Sequence, residues 1–405
     1  MPQSRLKILL LDSGKEWGGG TNSMLELLKR IDRNTFDISC CFYNNYVRDK
    51  NESISEALAA LDIPIFFIPQ ARQPAWAKLA KEALRTLLFF NKKIRLKCIF
   101  AIDKIWRINP NIQKINSLLE MGQYDILYMN NQPSSNFEGY YSTVGLPTTV
   151  IQHCRIEPLM NDQIVSMVND LCHAIISVSD GVQKKLVQHG VNPRICHTVF
   201  NGIDVHQPLP DGRQLRQSFT ADEDTFVFGS IGSLILRKSH HHILQALHLF
   251  NYAYPAARWK MVMVGAGPEH QALVKMAANY RILDNVIFTG FKSNAMEYLA
   301  AFDAFILASS SEGLPRVVLE AMLLNTPVIG SNVIGTAELI HHEETGLLFP
   351  YGDTQLLFRH FERLYLDKNY RLVLARNANE MVRTHFTIDK YVAGVEAVLG
   401  SIKRA

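Results

Sequence analysis

The chain has 405 residues, 47% hydrophobic and 20% charged, a composition that suits two or three globular domains and excludes a disordered chain, a collagen-like repeat and a disulfide-held miniprotein. Forty-two Lys and Arg against 38 Asp and Glu leave a net charge of +4, too little for a chain-wide nucleic-acid footprint, so no nucleic-acid partner is expected. The six cysteines (Cys40, Cys41, Cys98, Cys154, Cys172, Cys196) form no C-x-x-C pair and no Cys/His cluster at zinc spacing, and read as the reduced thiols of a cytoplasmic protein.

The first apolar run, Leu6 to Leu11, is too short for a signal peptide, and no stretch reaches the ~18 apolar residues of a spanning helix. A cytoplasmic location follows as an expectation, with any membrane contact peripheral and on the inner face. That run ends at Asp12-Ser13-Gly14 and leads into Gly18-Gly19-Gly20-Thr21, after which Met24, Leu25, Leu27, Leu28 and Ile31 recur at helical spacing. Strand, glycine loop and helix are predicted here. Further strands are predicted at Phe36 to Tyr43, Ile63 to Ile68, Ile126 to Met129, Thr148 to Gln152, Ala174 to Val178 and Cys196 to Phe200, alternating with helical stretches. Alternation of this kind implies crossover connections and a parallel sheet covered on both faces. The pattern restarts at Thr225 to Gly232 and recurs at Trp259 to Val264, Val286 to Thr289, Ala304 to Ala308 and Pro327 to Ile329. Two doubly wound halves are expected, joined near the Pro- and Gly-rich segment His206 to Gly212, with a closing helix from about Tyr391 to Ile402. The resulting division is 1–205, 206–385 and a terminal segment 386–405 that packs back on the first domain.

Residues 72–107 depart in composition. Ten basic residues (Arg72, Lys78, Lys81, Arg85, Lys92, Lys93, Arg95, Lys97, Lys104, Arg107) face two acids, Glu82 and Asp103, and are interleaved with Trp76, Leu79, Phe89, Phe90, Phe100 and Trp106. A solvated basic face on ordinary core helices and a helix lying in an anionic lipid interface both fit this mixture.

The richest segment chemically is Ser309-Ser310-Ser311-Glu312-Gly313-Leu314-Pro315-Arg316-Val317-Val318-Leu319-Glu320. It follows a buried-looking strand with a glycine turn, a proline suited to helix entry, and helical spacing beyond. Free backbone N–H groups around Leu314 to Val317 would face a phosphate, with the helix dipole adding attraction. Glu320, expected on the first helical turn, can accept paired hydrogen bonds from ribose hydroxyls. After the first strand of the second half, Gly232 leads to Arg237-Lys238, a pair placed to neutralise a diphosphate. Val264-Gly265-Ala266-Gly267 ends the next strand, where glycines allow close backbone approach. The trio His240-His241-His242 reads as surface, since adjacent helical positions do not share a face.

Together these motifs resemble the retaining GT-B glycosyltransferases, and within them family 4 (glycosyl transferases group 1). Glu312 and Glu320 form that family's E-x7-E pair, and Gly330 to Glu338 with Gly346-Leu347-Leu348-Phe349 matches its glycine turn, Glu and closing G-L-L-F. The resemblance implies an α/β GT-B fold, two doubly wound Rossmann-like domains facing across a cleft, the first binding acceptor and the second a nucleotide sugar. It implies Glu320 on the ribose, Glu312 facing the donor hexose, Arg237 and Lys238 on the diphosphate, and Gly18 and Gly19 close to the donor phosphates and the acceptor. His153 is similar to the family's first-domain histidine that contacts the donor sugar, and Asn201-Gly202-Ile203-Asp204 matches a turn at the domain boundary. Gly313, Leu314, Pro315, Arg316, Val317, Gly232 and Gly265 complete the implied donor site.

The function so implied is a retaining, metal-independent hexosyltransferase using a nucleoside-diphosphate sugar, UDP-sugar above all, as co-substrate and no other cofactor. Its acceptor would be a glycan or a lipid-linked molecule of cell-surface polysaccharide or glycolipid synthesis. A silent nucleotide-sugar-binding or membrane-associated assembly protein and a nucleotide-sugar 2-epimerase are the alternatives.

Overall fold

The computed structural model describes residues 5–12, 17–48, 52–69, 73–220 and 222–402, with the side chains of 48, 92, 93, 96 and 97 also left outside. Ser13, Gly14 and Arg72, named above, therefore lie outside the described residues, as do the side chains of Lys92, Lys93 and Lys97. The chain divides into two compact units, one of Met1–Ile176, Lys185–His197 and Glu396–Ala405, the other of Ser177–Lys184 and Thr198–Val395.

The first unit is built on a seven-stranded sheet in the order Ile65–Phe67, Phe36–Phe42, Leu6–Asp12, Ile126–Met129, Thr149–Cys154, Ala174–Ser177, Cys196–Thr198. Leu6–Asp12 pairs in parallel with Phe36–Phe42 on one side and with Ile126–Met129 on the other, in register Leu10 to Tyr128. Leu9, Leu10 and Leu11 are buried, as are all four residues of Ile126–Met129. That explains why these strands read as unbroken apolar runs: helices cover both faces of a parallel sheet, so neither parity of side chain meets water. The order runs outward in both directions from Leu6–Asp12, which makes a topological switch point between Leu6–Asp12 and Ile126–Met129. A two-residue hairpin, Val47–Arg48 with Glu52–Ser53, adds a small antiparallel ribbon that the alternation did not foretell.

The second unit holds a six-stranded parallel sheet in the order Val286–Gly290, Trp259–Val264, Phe226–Ile231, Ala304–Leu307, Val328–Ser331, Leu347–Phe349. Its core sets Phe228 against Phe250 and Phe361, with ring centroids 5.8 and 4.8 Å away, so one strand, helix His240–Ala253 and helix Thr354–Leu366 share an aromatic cluster. Here too the first strand, Phe226–Ile231, has later strands on both sides, and the switch point falls between it and Ala304–Leu307.

The change of unit at His197/Thr198 precedes the Pro-rich segment 206–212 by several residues, because the backbone N–H of Ile203 donates to Phe386 O at 3.0 Å and draws residues 198–205 into the second unit. The closing helix runs Ile388–Gly400, and only its end, from Glu396, belongs to the first unit. All six cysteines are free thiols, and burial pushes Cys154 up to about 12. Among the described residues no helix is long and apolar enough to cross a membrane.

Gly335, after the strand Val328–Ser331, has φ +77°, and a Cβ there would lie 2.0 Å from the carbonyl oxygen of Gly313. Gly335→Ala should therefore cost at least about 2 kcal/mol, from the left-handed backbone and from the clash; a thermal melt unchanged by the substitution would show that this turn does not support the Gly313 loop.

Candidate active site

Strand order decides which loops meet. Because Phe226–Ile231 neighbours Ala304–Leu307, the loops leaving their carboxyl ends are adjacent, and they carry Gly232 to Ser239 and Ser309 to Pro315. They are stitched by the Ser310 N–H donating to Arg237 O at 2.8 Å. Lys238 Nζ donates to Glu312 Oε1 at 2.6 Å, and Arg237 Nη1 lies 3.4 Å from the same oxygen while donating to Ser311 O at 2.6 Å. Glu312 is buried, which pushes its carboxyl up; the charges of Lys238 and then Arg237 outweigh that and hold it below the ordinary carboxylate range. Arg237 is exposed and Lys238 half-buried. The result is a compact triad of one anion and two cations at the switch point, with the outer cation facing solvent.

Ser239, which follows the cations, sits in the left-handed region at φ +49°, its hydroxyl donating to Leu236 O at 3.0 Å and 3.0 Å from the Tyr351 hydroxyl. A Cβ on Gly232 would lie 3.5 Å from Lys238 Cε, so this glycine borders the lysine stem. Gly265 packs closely on the neighbouring loop: a Cβ there would fall 1.9 Å from Gly232 O. The Gly232 N–H donates to Val264 O and the Leu234 N–H to Ala266 O, both at 2.9 Å, so the two loops pack backbone on backbone.

Helix Arg316–Leu323 opens after Pro315, and its first N–H groups have no acceptor within the helix. Gly313, Leu314 and Pro315 are buried, whereas Arg316, Val317 and Glu320 are half-buried. Asn201 Nδ2 donates to Leu314 O at 3.0 Å, so the N-G-I-D turn fixes this loop from beneath. Glu320 lies on the second helical turn, one turn later than the sequence suggested, because Pro315 is the cap and the helix begins at Arg316. There it accepts a hydrogen bond from Arg316 Nε at 2.9 Å.

Glu338, the acid of the glycine-turn motif, stands in the first turn of helix Thr336–Leu339. Its carboxylate accepts from the backbone N–H of Gly335 at 3.2 Å, of Asp180 at 2.8 Å and of Gly181 at 3.0 Å. It therefore satisfies N–H groups at the start of two helices, Thr336–Leu339 and Asp180–Gln188. The histidine trio needs correction: His240 is buried, not on the surface, because it begins the inward stripe His240, Ile243, Leu244, Leu247 of its helix. Burial and the charge of Lys238 bring it down to about 4, so it is neutral near pH 7. The spacing Asp222-Glu223-Asp224 could hint at a metal, but it lies before the amino end of strand Phe226–Ile231, where Asp222 and Asp224 pair with Arg258 at 2.5 and 3.8 Å.

In the first unit, Gly18 caps helix Gly19–Arg30, and Cβ atoms on Gly18 or Gly19 would meet nothing within 4 Å, so their backbone stands open. His153 does not end its strand; the strand runs Thr149–Cys154. The imidazole is fully buried, hydrogen-bonded through Nδ1 to the Tyr128 hydroxyl, and burial together with Arg155 holds it well below its usual range. In this conformation its ring is closed to a ligand, contrary to the contact expected for it. Sequence reasoning passed over a neighbouring cluster. Asp12, buried at the end of its strand, accepts from Asn130 Nδ2 at 2.7 Å and Asn131 Nδ2 at 2.9 Å, and Arg155 Nε donates to Asn130 Oδ1 at 2.7 Å. The available signal was position: Asp12, Asn130 and Asn131 end or follow the two strands flanking that unit's switch point, and Arg155 follows the next strand out.

Residues 211–381 match the family described as Glycosyl transferases group 1. The matched segment lies wholly within the second unit. N-acetyl-alpha-D-glucosaminyl L-malate synthase of Bacillus anthracis is 30% identical over 208 residues, 51% of this chain and 54% of that enzyme. The lipopolysaccharide core biosynthesis glycosyltransferase LpsD of Rhizobium meliloti is 30% identical over 172 residues, 42% of this chain and 48% of that one. The chain thus spans about half the length of these curated relatives. Among solved structures, HepE of Anabaena in complex with UDP is similar over 98% of this chain and 100% of that one, with a TM-score of 0.78 at 20% identity, and its UDP-glucose complex has the same TM-score at 19% identity. The fold is GT-B, and the Lys238–Glu312 pair lies inside the segment that matches the group 1 family.

Lys238→Met leaves a buried carboxylate whose remaining cation is the more distant Arg237, at an expected cost of about 2 kcal/mol at pH 7. Because Glu312 is held below its unfolded range, the stability it contributes is present above about pH 4.5 and is lost as pH falls through the lower folded value. Urea midpoints of parent and variant should therefore stay apart at neutral pH and converge only as pH falls below about 4.5; a gap independent of pH would show that Glu312 is not the group Lys238 stabilises.

Proposed function

We propose that the protein transfers a hexose from a nucleoside-diphosphate sugar, with UDP as the favoured nucleotide, to a glycan or lipid-linked acceptor of cell-surface polysaccharide or glycolipid synthesis, with retention at the anomeric carbon and without a metal. The observation that carries this reading is the meeting of Arg237, Lys238 and Glu312 at the switch point of a group 1 domain, beside the start of helix Arg316–Leu323. The UDP and UDP-glucose complexes of HepE support the choice of donor, and the lipopolysaccharide relative supports the acceptor class.

In this reading the diphosphate takes up Arg237 and Lys238, and the N–H groups that open helix Arg316–Leu323 add a partial positive charge. The bond between the anomeric carbon and the β-phosphate oxygen breaks, and a bond to the acceptor oxygen forms on the same face. The acceptor's proton passes to the leaving phosphate. Two cations and a helix start supply the charge stabilisation that this departure demands, so no metal is required. Glu320, oriented by Arg316, accepts from the ribose hydroxyls. Glu312 keeps both cations in place and faces the hexose. An acceptor anchored in lipid brings the protein to the inner membrane face through residues 72–107.

Calorimetry with UDP, GDP and ADP, with and without Mg²⁺, tests the donor site. UDP should bind equally well in both conditions, and Glu320→Ala should weaken it by about 1–3 kcal/mol through the lost charge-assisted hydrogen bond; binding that requires Mg²⁺, or is untouched by the substitution, overturns the assignment. Lys238→Ala should lower turnover by roughly a hundredfold with a smaller effect on donor affinity, since leaving-group charge grows on the way to the transition state. The opposite split, affinity lost and turnover kept, would make Lys238 a ground-state contact. The anomeric configuration of the product, read by NMR, decides retention.

A further inference from the structure

The basic segment of the first unit folds as helix Ala75–Leu87, a turn at residues 88–90, helix Lys92–Asp103, a π-helical turn Lys104–Ile108 and helix Asn109–Gly122. The first of these helices is apolar on two sides. Ala77, which is buried, and Leu84 and Leu88, which are partly so, form an inward stripe, and this alone would satisfy a globular core. A second stripe, Trp76, Leu79, Ala83 and Leu87, recurs at the same helical spacing and is exposed, Leu79 at 71% and Leu87 at 68%. At the turn, Phe89 and Phe90 are 75% and 73% exposed, their rings edge to face with centroids 5.7 Å apart.

These side chains are not displaced from a loose helix, because the base of the hairpin is tied. Lys81 Nζ donates to Asp103 Oδ1 at 2.9 Å, Gln73 donates to the same carboxylate, and the Trp76 and Trp106 rings meet edge to face at 5.4 Å. The π turn, marked by the Asn109 N–H donating to Lys104 O, inserts one residue into the helical ladder and leaves Ile105 exposed while Ile108 is buried. Both acids of the 72–107 segment are engaged, Asp103 by Lys81 and Glu82 by Arg85, whereas Lys78 and Lys104 stand exposed without a carboxylate bonded to them among the described contacts. An apolar wedge rimmed by surplus positive charge matches the two layers of one partner, acyl chains beneath anionic headgroups.

We propose that this hairpin docks on an anionic phospholipid surface, with Leu87, Phe89 and Phe90 inserted below the headgroups and Lys78, Arg85 and Lys104 at their level. The docking deepens the transferase reading, on which its purpose rests, by placing the acceptor in the same bilayer, while the contact itself requires no sugar donor. Flotation of the full chain with vesicles of phosphatidylcholine containing about 30% phosphatidylglycerol, in the absence of nucleotide, should recover the protein, and phosphatidylcholine alone should recover much less. Combined Leu87→Ser, Phe89→Ser and Phe90→Ser should reduce vesicle affinity by about tenfold or more. Combined Lys78→Gln, Arg85→Gln and Lys104→Gln should abolish the preference for phosphatidylglycerol and the weakening of binding by salt. UDP affinity retained in both variants shows that they are folded and that the donor site stands whatever the vesicles report. Absence of vesicle binding by the parent, or equal binding by both variants, overturns the proposal. So does a parent that sediments as a dimer and a serine variant that sediments as a monomer, since the wedge would then be covered by a second copy.

Discussion

A carboxylate withdrawn from water beside two cations organises the second unit. Unpaired, Glu312 would carry a desolvation cost of several kcal/mol; beside Lys238 and Arg237 it stays ionised, and in return it holds two flexible cationic side chains at one place. The pair also joins the loops at the carboxyl ends of two adjacent strands, which the Ser310 to Arg237 backbone bond reinforces. Much of the surrounding backbone serves that junction. Gly265 lets its loop lie against Gly232, Gly335 lies against Gly313, and Asn201 secures Leu314. A diphosphate entering here would meet cations whose geometry has been set before it arrives, which is the condition under which electrostatic stabilisation is most effective.

The first unit repeats the architecture with a different chemistry. Near its switch point Asp12, Asn130, Asn131 and Arg155 form a largely buried, internally bonded polar cluster, and the backbone at Gly18 and Gly19 stands open. In the same unit, the hairpin of residues 75–103 leaves its outer stripe uncovered while its base is pinned by Lys81, Gln73 and Asp103. The polar end is closed and the apolar tip is open, the reverse of what a freely diffusing monomer favours.

Much of the fold was legible because parallel strands buried on both faces leave unbroken apolar runs. Ile126–Met129 and Trp259–Val264 appear in the structure with the ends read from the sequence. The order strand, loop and helix was also legible around Glu312, although Glu320 falls one helical turn later than expected. The errors occur where burial rather than spacing decides. His153, expected just past the strand Thr148 to Gln152, lies inside strand Thr149–Cys154 and against Tyr128. His240 looked like surface and begins an inward stripe. The carboxylate of Glu338 reaches N–H groups at Asp180 and Gly181, more than 150 positions away, at separations of 158 and 157.

The sequence by itself determined two doubly wound halves, the glycines where chains must approach closely, and a surplus of positive charge with aromatics in residues 72–107, since each is a property of local periodicity or composition. Only the tertiary structure decided that Lys238 meets Glu312 across 74 residues, that Asp12 collects two asparagines from a loop 118 and 119 residues on, and that the stripe from Trp76 to Leu87 faces outward. The reason is strand order. Crossover connections set which strand lies beside which, adjacency at the carboxyl ends sets which loops touch, and neither is written in the spacing of the residues that finally pair.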